Sequence, residues 1–534
     1  MKKELQLIRG IVLLSVLLMS SCRSTDSENT LTGSGSLAVS FNLVGAEYAY
    51  PGKLPSQASL GKRNMSNSEN KIQRHSVLVT PSSLITAELS PSLDHVGSSA
   101  SASLDIKPIA AVSGDPLASG MKFRVIAYRN NGNYHTHQDY TVGQTAIPMM
   151  LDNGAAYNFV VYSYGTTSLP SISSREQNNI SSASVNYDDN NRDFMYEKIP
   201  FTPTNSINTL NITLRHKVSQ ITTIVNSGSL GNITNITGGI LTPHYSNGIV
   251  SLSSGAMSGR TTLSSGAILA FSGLNTSTIT STPVFVNADT GGNATGGFSA
   301  DITIAGATKT ISLPNSFKVT PENKSNLTIN LMKCGAYVDP VNYKEFMCHN
   351  LGADMSADPF TPSAAIHGAK YQWGAQTGEA GRYISQSDDQ TNSGAISGWY
   401  TTAKPNGPWS DTSKTANDPC PDGYRVPTEA QWQGVLMNNN VEKVGSWAND
   451  GNYTTALYFR NPSNVRTLML PAAGNRHYTD GALNSRGSSG GYWSSNGATQ
   501  TARELSIIDR ITDLEVKMFY MYQTVGNSVR CIAE

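Results

Sequence analysis

The chain has 534 residues, with 38 Lys and Arg against 38 Asp and Glu and a formal net charge of zero. That length exceeds one ordinary domain, and the balanced charge leaves no electrostatic footprint for nucleic acid, which is set aside as a partner. Only 14% of residues are charged, 38% are hydrophobic and Gly numbers 47, a mix that suits Ser/Thr/Asn-rich β domains better than a helical enzyme.

At the start of the chain, Lys2, Lys3 and Arg9 form a basic stretch before a short apolar core, Ile11 to Met19. This core is too short to span a bilayer as a mature helix, so 1–21 reads as a signal peptide. Leu18, Ser20 and Ser21 lead into Cys22, the one cysteine before residue 334. The pattern resembles a bacterial lipoprotein signal, which implies diacylation of Cys22 and a lipid-anchored precursor at the outer membrane or cell surface. Acyl chains contribute about 0.8 kcal/mol per buried CH₂, so several of them anchor stably. The alternative is a plain secretory peptide with an incidental Cys22.

Residues 22–35 form a polar Ser/Thr-rich tether. In 36–46, Leu37, Val39, Phe41 and Leu43 alternate on one face, a strand pattern. Residues 51–75 are weakly apolar and carry Lys53, Lys62, Arg63, Lys71 and Arg74. They read as an exposed loop, the kind of segment proteases cut. Further strands are expected at 122–130, 155–165, 210–225 and 326–332, and no sustained helical period occurs between 36 and 333. The predicted fold is mainly β, with tandem β-sandwich domains at 36–205 and 206–333.

The runs FRVIAYRNNGNY (Phe123–Tyr134), YNFVVYSYG (Tyr157–Gly165), DFMY (Asp193–Tyr196) and LRHKVSQI (Leu214–Ile221) resemble the fimbrillin family, the lipoprotein-derived subunits of type V pili. The resemblance covers roughly 36–333. It implies that a trypsin-like protease removes the first strand, with Arg63 or Arg74 as the candidate cut, and that a neighbouring subunit fills the groove by strand exchange. The physics suits this, because a lost strand exposes unpaired backbone groups and an apolar slot. The alternative is that 51–75 is only a loop and the first strand stays in place.

Residues 334–534 have another texture. All six tryptophans lie beyond residue 370, and Cys334, Cys348, Cys420 and Cys531 all fall in this region. In an oxidising setting four cysteines imply two disulfides, with three connectivities open. The run DPCPDGYRVPTEAQWQGVL (Asp418–Leu436), then LPAAGNRHYTDG, GGYWSSN and NSVRC, resembles the FISUMP domain, a C-type-lectin-like α+β module related in fold to the formylglycine-generating enzyme. Tyr424 departs from the family's usual Trp. Within this run, Thr428 and Gln431 have the spacing of a capping box and predict a helix start. Pairing Cys420 with Cys531, and Cys334 with Cys348, is one arrangement; the others stay open.

Chemistry-bearing patterns are sparse. Gly487-Ser488-Ser489-Gly490-Gly491 matches G-x-S-x-G, but a nucleophile elbow needs a helix after it and YWSS is β-like. No catalytic residues are assigned, and the chain is read as a non-enzyme. Asp188, Asp189, Asn191 and Asp193 offer oxygens to calcium but lack the glycine and glutamate of an EF-hand, so a solvated turn is preferred and no cofactor is assigned. His135 and His137 form an incomplete zinc set. Trp447-Ala448-Asn449-Asp450 only approximates a calcium-lectin motif. Trp399 and Trp409, in a Gly/Pro/Ser/Thr-rich loop, are expected to be exposed and to form a ligand site with Arg476, His477 and Tyr478.

Together these features point to a pilus tip or accessory subunit with an adhesive C-terminal domain. Its expected partners are other pilus subunits, a surface glycan or protein ligand, and the membrane through its lipid. A non-polymerising glycan-binding lipoprotein of the outer membrane is the alternative.

Overall fold

The computed structural model describes residues 35–49, 72–92, 115–188, 193–204, 208–404, 409–510 and 513–534. The predicted signal peptide, the lipidation candidate Cys22 and the cleavage candidate Arg63 lie outside the described residues. The fold is mainly β, as expected.

A seven-stranded sheet runs in the order Tyr134–Thr141, Lys122–Arg129, Tyr157–Ser163, Met195–Phe201, Asn208–His216, Ser36–Glu47, Met149–Asp152. Its middle strands, KFRVIAYR and YNFVVYS, are apolar on both faces because both faces are covered. Val125, Ala127, Phe159 and Val161 face one core, shared with Val39 and Phe41. Ile126, Tyr128, Val160 and Tyr162 face another, closed by Val185, Tyr187, Val250 and Leu252. The sheet curls: Phe41, next to one edge, meets Tyr140 on the far edge strand at a ring-centroid distance of 5.7 Å.

A second sheet runs Thr278–Thr280, Ser219–Asn226, Lys324–Lys333, Ser83–Pro91, Gln73–Thr80. It shares one core with a four-stranded sheet containing Ile233–Thr242, Gly296–Ile304 and Ala307–Phe317, which makes a β-sandwich.

The pairing of strands divides the chain differently from the expected 36–205 and 206–333. Asn208–His216 belongs to the first sheet, bonded to Ser36–Glu47 and Met195–Phe201, so the second unit begins after residue 216. The hairpin Gln73–Thr80/Ser83–Pro91 crosses into the second sheet, where it flanks Lys324–Lys333. Sequence contiguity conceals such crossings, because each strand satisfies its backbone groups with whichever edge is available in space.

Beyond Lys333 lies the module of small sheets and short helices. Its helix Glu429–Asn438 starts with the predicted capping box: Gln431 N–H donates to Thr428 Oγ1 (3.1 Å), and Thr428 N–H donates to Gln431 Oε1 (2.8 Å). Trp432 and Val435 face the core from this helix, against Phe346, Leu457, Leu470 and Tyr492. Disulfides join Cys334 to Cys348 and Cys420 to Cys531.

Candidate functional site

The first candidate site is the slot occupied by the first strand. Ser36–Glu47 lies parallel to Asn208–His216, from Val39 opposite Asn208 to Glu47 opposite Arg215, and antiparallel to the four-residue edge strand Met149–Asp152. The alternation read from the sequence holds: Val39 and Phe41 are buried, and Leu43 packs on the same core. The Phe41 ring sits 5.1 Å from that of Phe159, edge-on. Past Leu43 the register slips, and the small residues Gly45 and Ala46 take the buried places. Burying Val39 and Phe41 contributes roughly 1.5–3 kcal/mol each. Withdrawing the strand would leave the edge of Asn208–His216 unpaired over an apolar groove.

The cleavage candidates separate. Arg74 is not in a loop. It lies in the strand Gln73–Thr80, opposite Glu88, to which its guanidinium donates at 2.9 Å. A protease needs an extended segment free of partners, so the structure removes Arg74 as a candidate and corrects the loop reading for residues 73–75. The overlooked signal was HSVLVT-PS-SLITAEL, a β-branched run interrupted by a Pro-Ser turn.

The tip of this hairpin grips the C-terminal module. Cys334 N–H donates to Ser82 O (2.8 Å) and Cys348 N–H to Pro81 O (2.7 Å). The buried Ser82 hydroxyl donates to Glu345 (2.6 Å) and accepts from the Tyr424 hydroxyl (2.9 Å). Lys333 and Ser82 together hold the Glu345 carboxyl below its ordinary range against the opposing effect of burial. Leu84 packs against both cysteines. Ser82→Ala should therefore cost about 1–2 kcal/mol and speed proteolysis at the 333/334 junction, measurable as the rate at which an intact module is released.

The expected ligand site does not assemble as proposed. Trp399 is 7% exposed and Trp409 3%. Both expectations of exposure are corrected. The Trp399 indole N–H donates to Thr524 O (3.1 Å) and that of Trp409 to Asn417 O (3.0 Å), so each ring is buried with its polar edge satisfied. Gly481 and Gly526 cover Trp399. A Cβ on either would come within 3.0 Å of the ring, and Gly481 also has φ +70°. Arg476 is likewise buried, bonded to Asp389, and cannot meet a surface ligand.

His477 and Tyr478 do lie nearer the surface. The Tyr478 ring is 4.4 Å from His477 and 4.9 Å from Tyr522. With Tyr520, whose ring lies 3.6 Å from the Arg503 guanidinium, these form an exposed aromatic patch along the edge strand Asp513–Tyr522, while Phe519 is exposed on the opposite face of that strand. The signal missed was MFYMY, an apolar-aromatic run without polar alternation.

The remaining motifs find local partners. Ser489 begins a strand, and its hydroxyl donates to Ile507 O (2.9 Å). Asp193 Oδ1 lies 2.6 Å from His216 Nδ1, while Asp189 and Asn191 fall outside the described residues. His135 Nδ1 lies 3.2 Å from Arg129 and His137 Nδ1 2.8 Å from the Tyr134 hydroxyl. Among the described residues no group of three or more His, Cys, Asp or Glu is placed to hold a metal.

No protein-family model matches the chain, and no curated protein matches it. Several solved structures share partial similarity. A candidate cell-adhesion protein from Bacteroides fragilis is 12% identical with a TM-score of 0.31, over 55% of this chain and 92% of that one. Another, from Bacteroides uniformis, is 13% identical with a TM-score of 0.29, over 40% and 86%. A fimbrial assembly protein from Parabacteroides distasonis is 8% identical with a TM-score of 0.26, over 42% of this chain and 86% of that one.

Proposed function

We propose that the chain is a non-enzymatic, lipid-anchored surface precursor of a fimbrial subunit, joined to its neighbour by strand exchange and carrying a terminal adhesive module. The observation that carries this reading is the place of Ser36–Glu47. It is the first strand among the described residues, it fills an apolar slot, its long pairing is with a strand far away in sequence, and its other neighbour is a four-residue edge. One cut in 50–71, with Arg63 as the candidate, frees it without breaking any other described strand. The fimbrillin resemblance of 36–333 supports the same step.

Two features support a terminal position. Lys324–Lys333 is an inner strand of its sheet and runs straight into the module. Val529, Cys531 and Ile532 are buried inside that module. Neither segment is free to be donated. The FISUMP resemblance and the patch of Tyr478, Tyr520 and Tyr522 support adhesion, since exposed rings stack on sugars and anchor proteins.

The test is to shear the cell surface, isolate high-molecular-weight fibres and map the N-terminus of this chain by mass spectrometry. A start shortly after Arg63 is expected. An acylated Cys22 in every molecule, with none in fibres, would overturn the polymerising part and favour the non-polymerising lipoprotein.

A further inference from the structure

Deep in the C-terminal module, three cationic side chains surround one carboxylate. Lys370 stands on the short strand Lys370–Tyr371, Asp389 on the helix Gln386–Thr391, Arg476 on Asn475–Arg476, and Arg486 in the turn before Ser489–Gly497. All four are buried. Every nitrogen of the Arg476 guanidinium is engaged: Nε donates to Asp389 Oδ1 (2.7 Å), Nη2 to the carbonyls of Asp389 (2.8 Å) and Asn392 (2.7 Å), and Nη1 to Gly481 O (3.2 Å). Arg486 donates through Nη2 to Asp389 Oδ2 (2.8 Å) and Asp389 O (2.6 Å), and through Nη1 to the Tyr453 hydroxyl (2.8 Å).

Other donors in and around the cluster lack partners. Arg486 Nε has no partner in the protein. The Lys370 ammonium carries three N–H donors and makes one long contact, 3.5 Å to Asp389 Oδ2. His367 is wholly buried, and neither ring nitrogen has a partner. Its ring packs against Tyr453 at 4.9 Å, the same ring that Arg486 covers at 4.9 Å.

Guanidinium groups stay charged in proteins. Two of them against one carboxylate leave a positive charge even if Lys370 gives up its proton. An uncompensated buried charge carries a penalty of several kcal/mol, and a water molecule would satisfy donors without cancelling charge. We infer that the cluster binds a small inorganic anion of the chloride class, held by Lys370 Nζ, Arg486 Nε and the N–H of a neutral His367. Burial on all sides makes the ion part of the folded module rather than a surface counterion. Desolvation and the nearby cations keep His367 neutral, down to about 3, so it offers one N–H and no competing charge.

All six tryptophans lie in this module, so tryptophan fluorescence of the full chain reports its unfolding alone. Thermal unfolding would be followed in sodium chloride and in sodium gluconate at equal ionic strength, which separates binding from screening. The midpoint is expected to rise by several degrees with chloride and to stay flat when gluconate replaces it. Lys370→Met should abolish the difference. Equal midpoints in the two salts, or a chloride dependence that survives in Lys370→Met, would overturn the inference. Should that variant not fold, wild-type crystals grown in sodium bromide decide the matter: an anomalous peak beside Lys370 and Arg486 supports the site, and its absence rejects it.

Discussion

Replacing Phe41 by alanine is expected to destabilise the first β unit by about 3–5 kcal/mol, the usual cost of truncating a buried phenylalanine. Phe41 is 4% exposed and packs on Tyr140 and Phe159, whose strands lie at the other end of the sheet order from its own. Its loss therefore opens a cavity where the curled sheet meets itself. Asn42→Ala, one residue away, should cost about 1 kcal/mol or less, because Asn42 only donates to Asn211 on the exposed face (2.9 Å). Hydrogen exchange of Asn208–His216 is the appropriate readout. Protection there should fall steeply in Phe41→Ala and little in Asn42→Ala, while tryptophan fluorescence, confined to the C-terminal module, stays unchanged. Similar losses from both variants would mean that the strand is held by its backbone ladder alone, and the slot would not select its occupant.

The second large effect is a pH dependence centred on Glu504. This carboxyl is 1% exposed, accepts a hydrogen bond from the Asn527 side chain, and is pushed up from 4.5 to about 7, chiefly by burial. The folded module thus keeps a proton that the unfolded chain releases between about pH 4.5 and 7. Stability from this group is complete below 4.5 and is lost as the pH rises through 7, amounting to about 3 kcal/mol. Glu504→Gln removes the titration. The variant and wild type should unfold alike near pH 4.5, and the variant should be the more stable above pH 7. Parallel stability curves across the range would show that Glu504 ionises freely in the folded state. Gly491 explains how the carboxyl is accommodated: a Cβ there would come within 2.4 Å of Asn527 Oδ1 and 2.8 Å of Glu504 Oε2.

Much of the architecture follows from short-range pattern. The first strand was readable because a strand's side chains alternate with period two, and Leu37, Val39, Phe41 and Leu43 fall on one face. The helix at Glu429–Asn438 was readable because a capping box is complete within four residues. MFYMY carries its signal in the same short range, an aromatic run without polar alternation. The domain boundary depends on which edge a strand finds, since Asn208–His216 pairs with the distant Ser36–Glu47 as well as with its neighbour Met195–Phe201, whereas Arg74 sits in a local hairpin whose strands pair across a Pro-Ser turn.

Burial of polar and aromatic side chains was the part the residues could not disclose. Trp399 sits in a loop whose Gly, Pro and Ser content signals exposure, yet Gly481 and Gly526 arrive from distant segments to cover it. Arg476 looked like a ligand contact until Asp389 was brought beneath it from the helix Gln386–Thr391. Sequence alone therefore determined the β character, the alternating first strand, the separate tryptophan-bearing module and the lipobox-like start. Tertiary structure alone decided which strand fills the slot beside Asn208–His216, how the 73–91 hairpin ties the module to the second sheet, and which rings face solvent. The physical reason is one of range. Alternation and capping are set by backbone geometry over a few residues, whereas burial and charge compensation are set by groups that only folding makes neighbours.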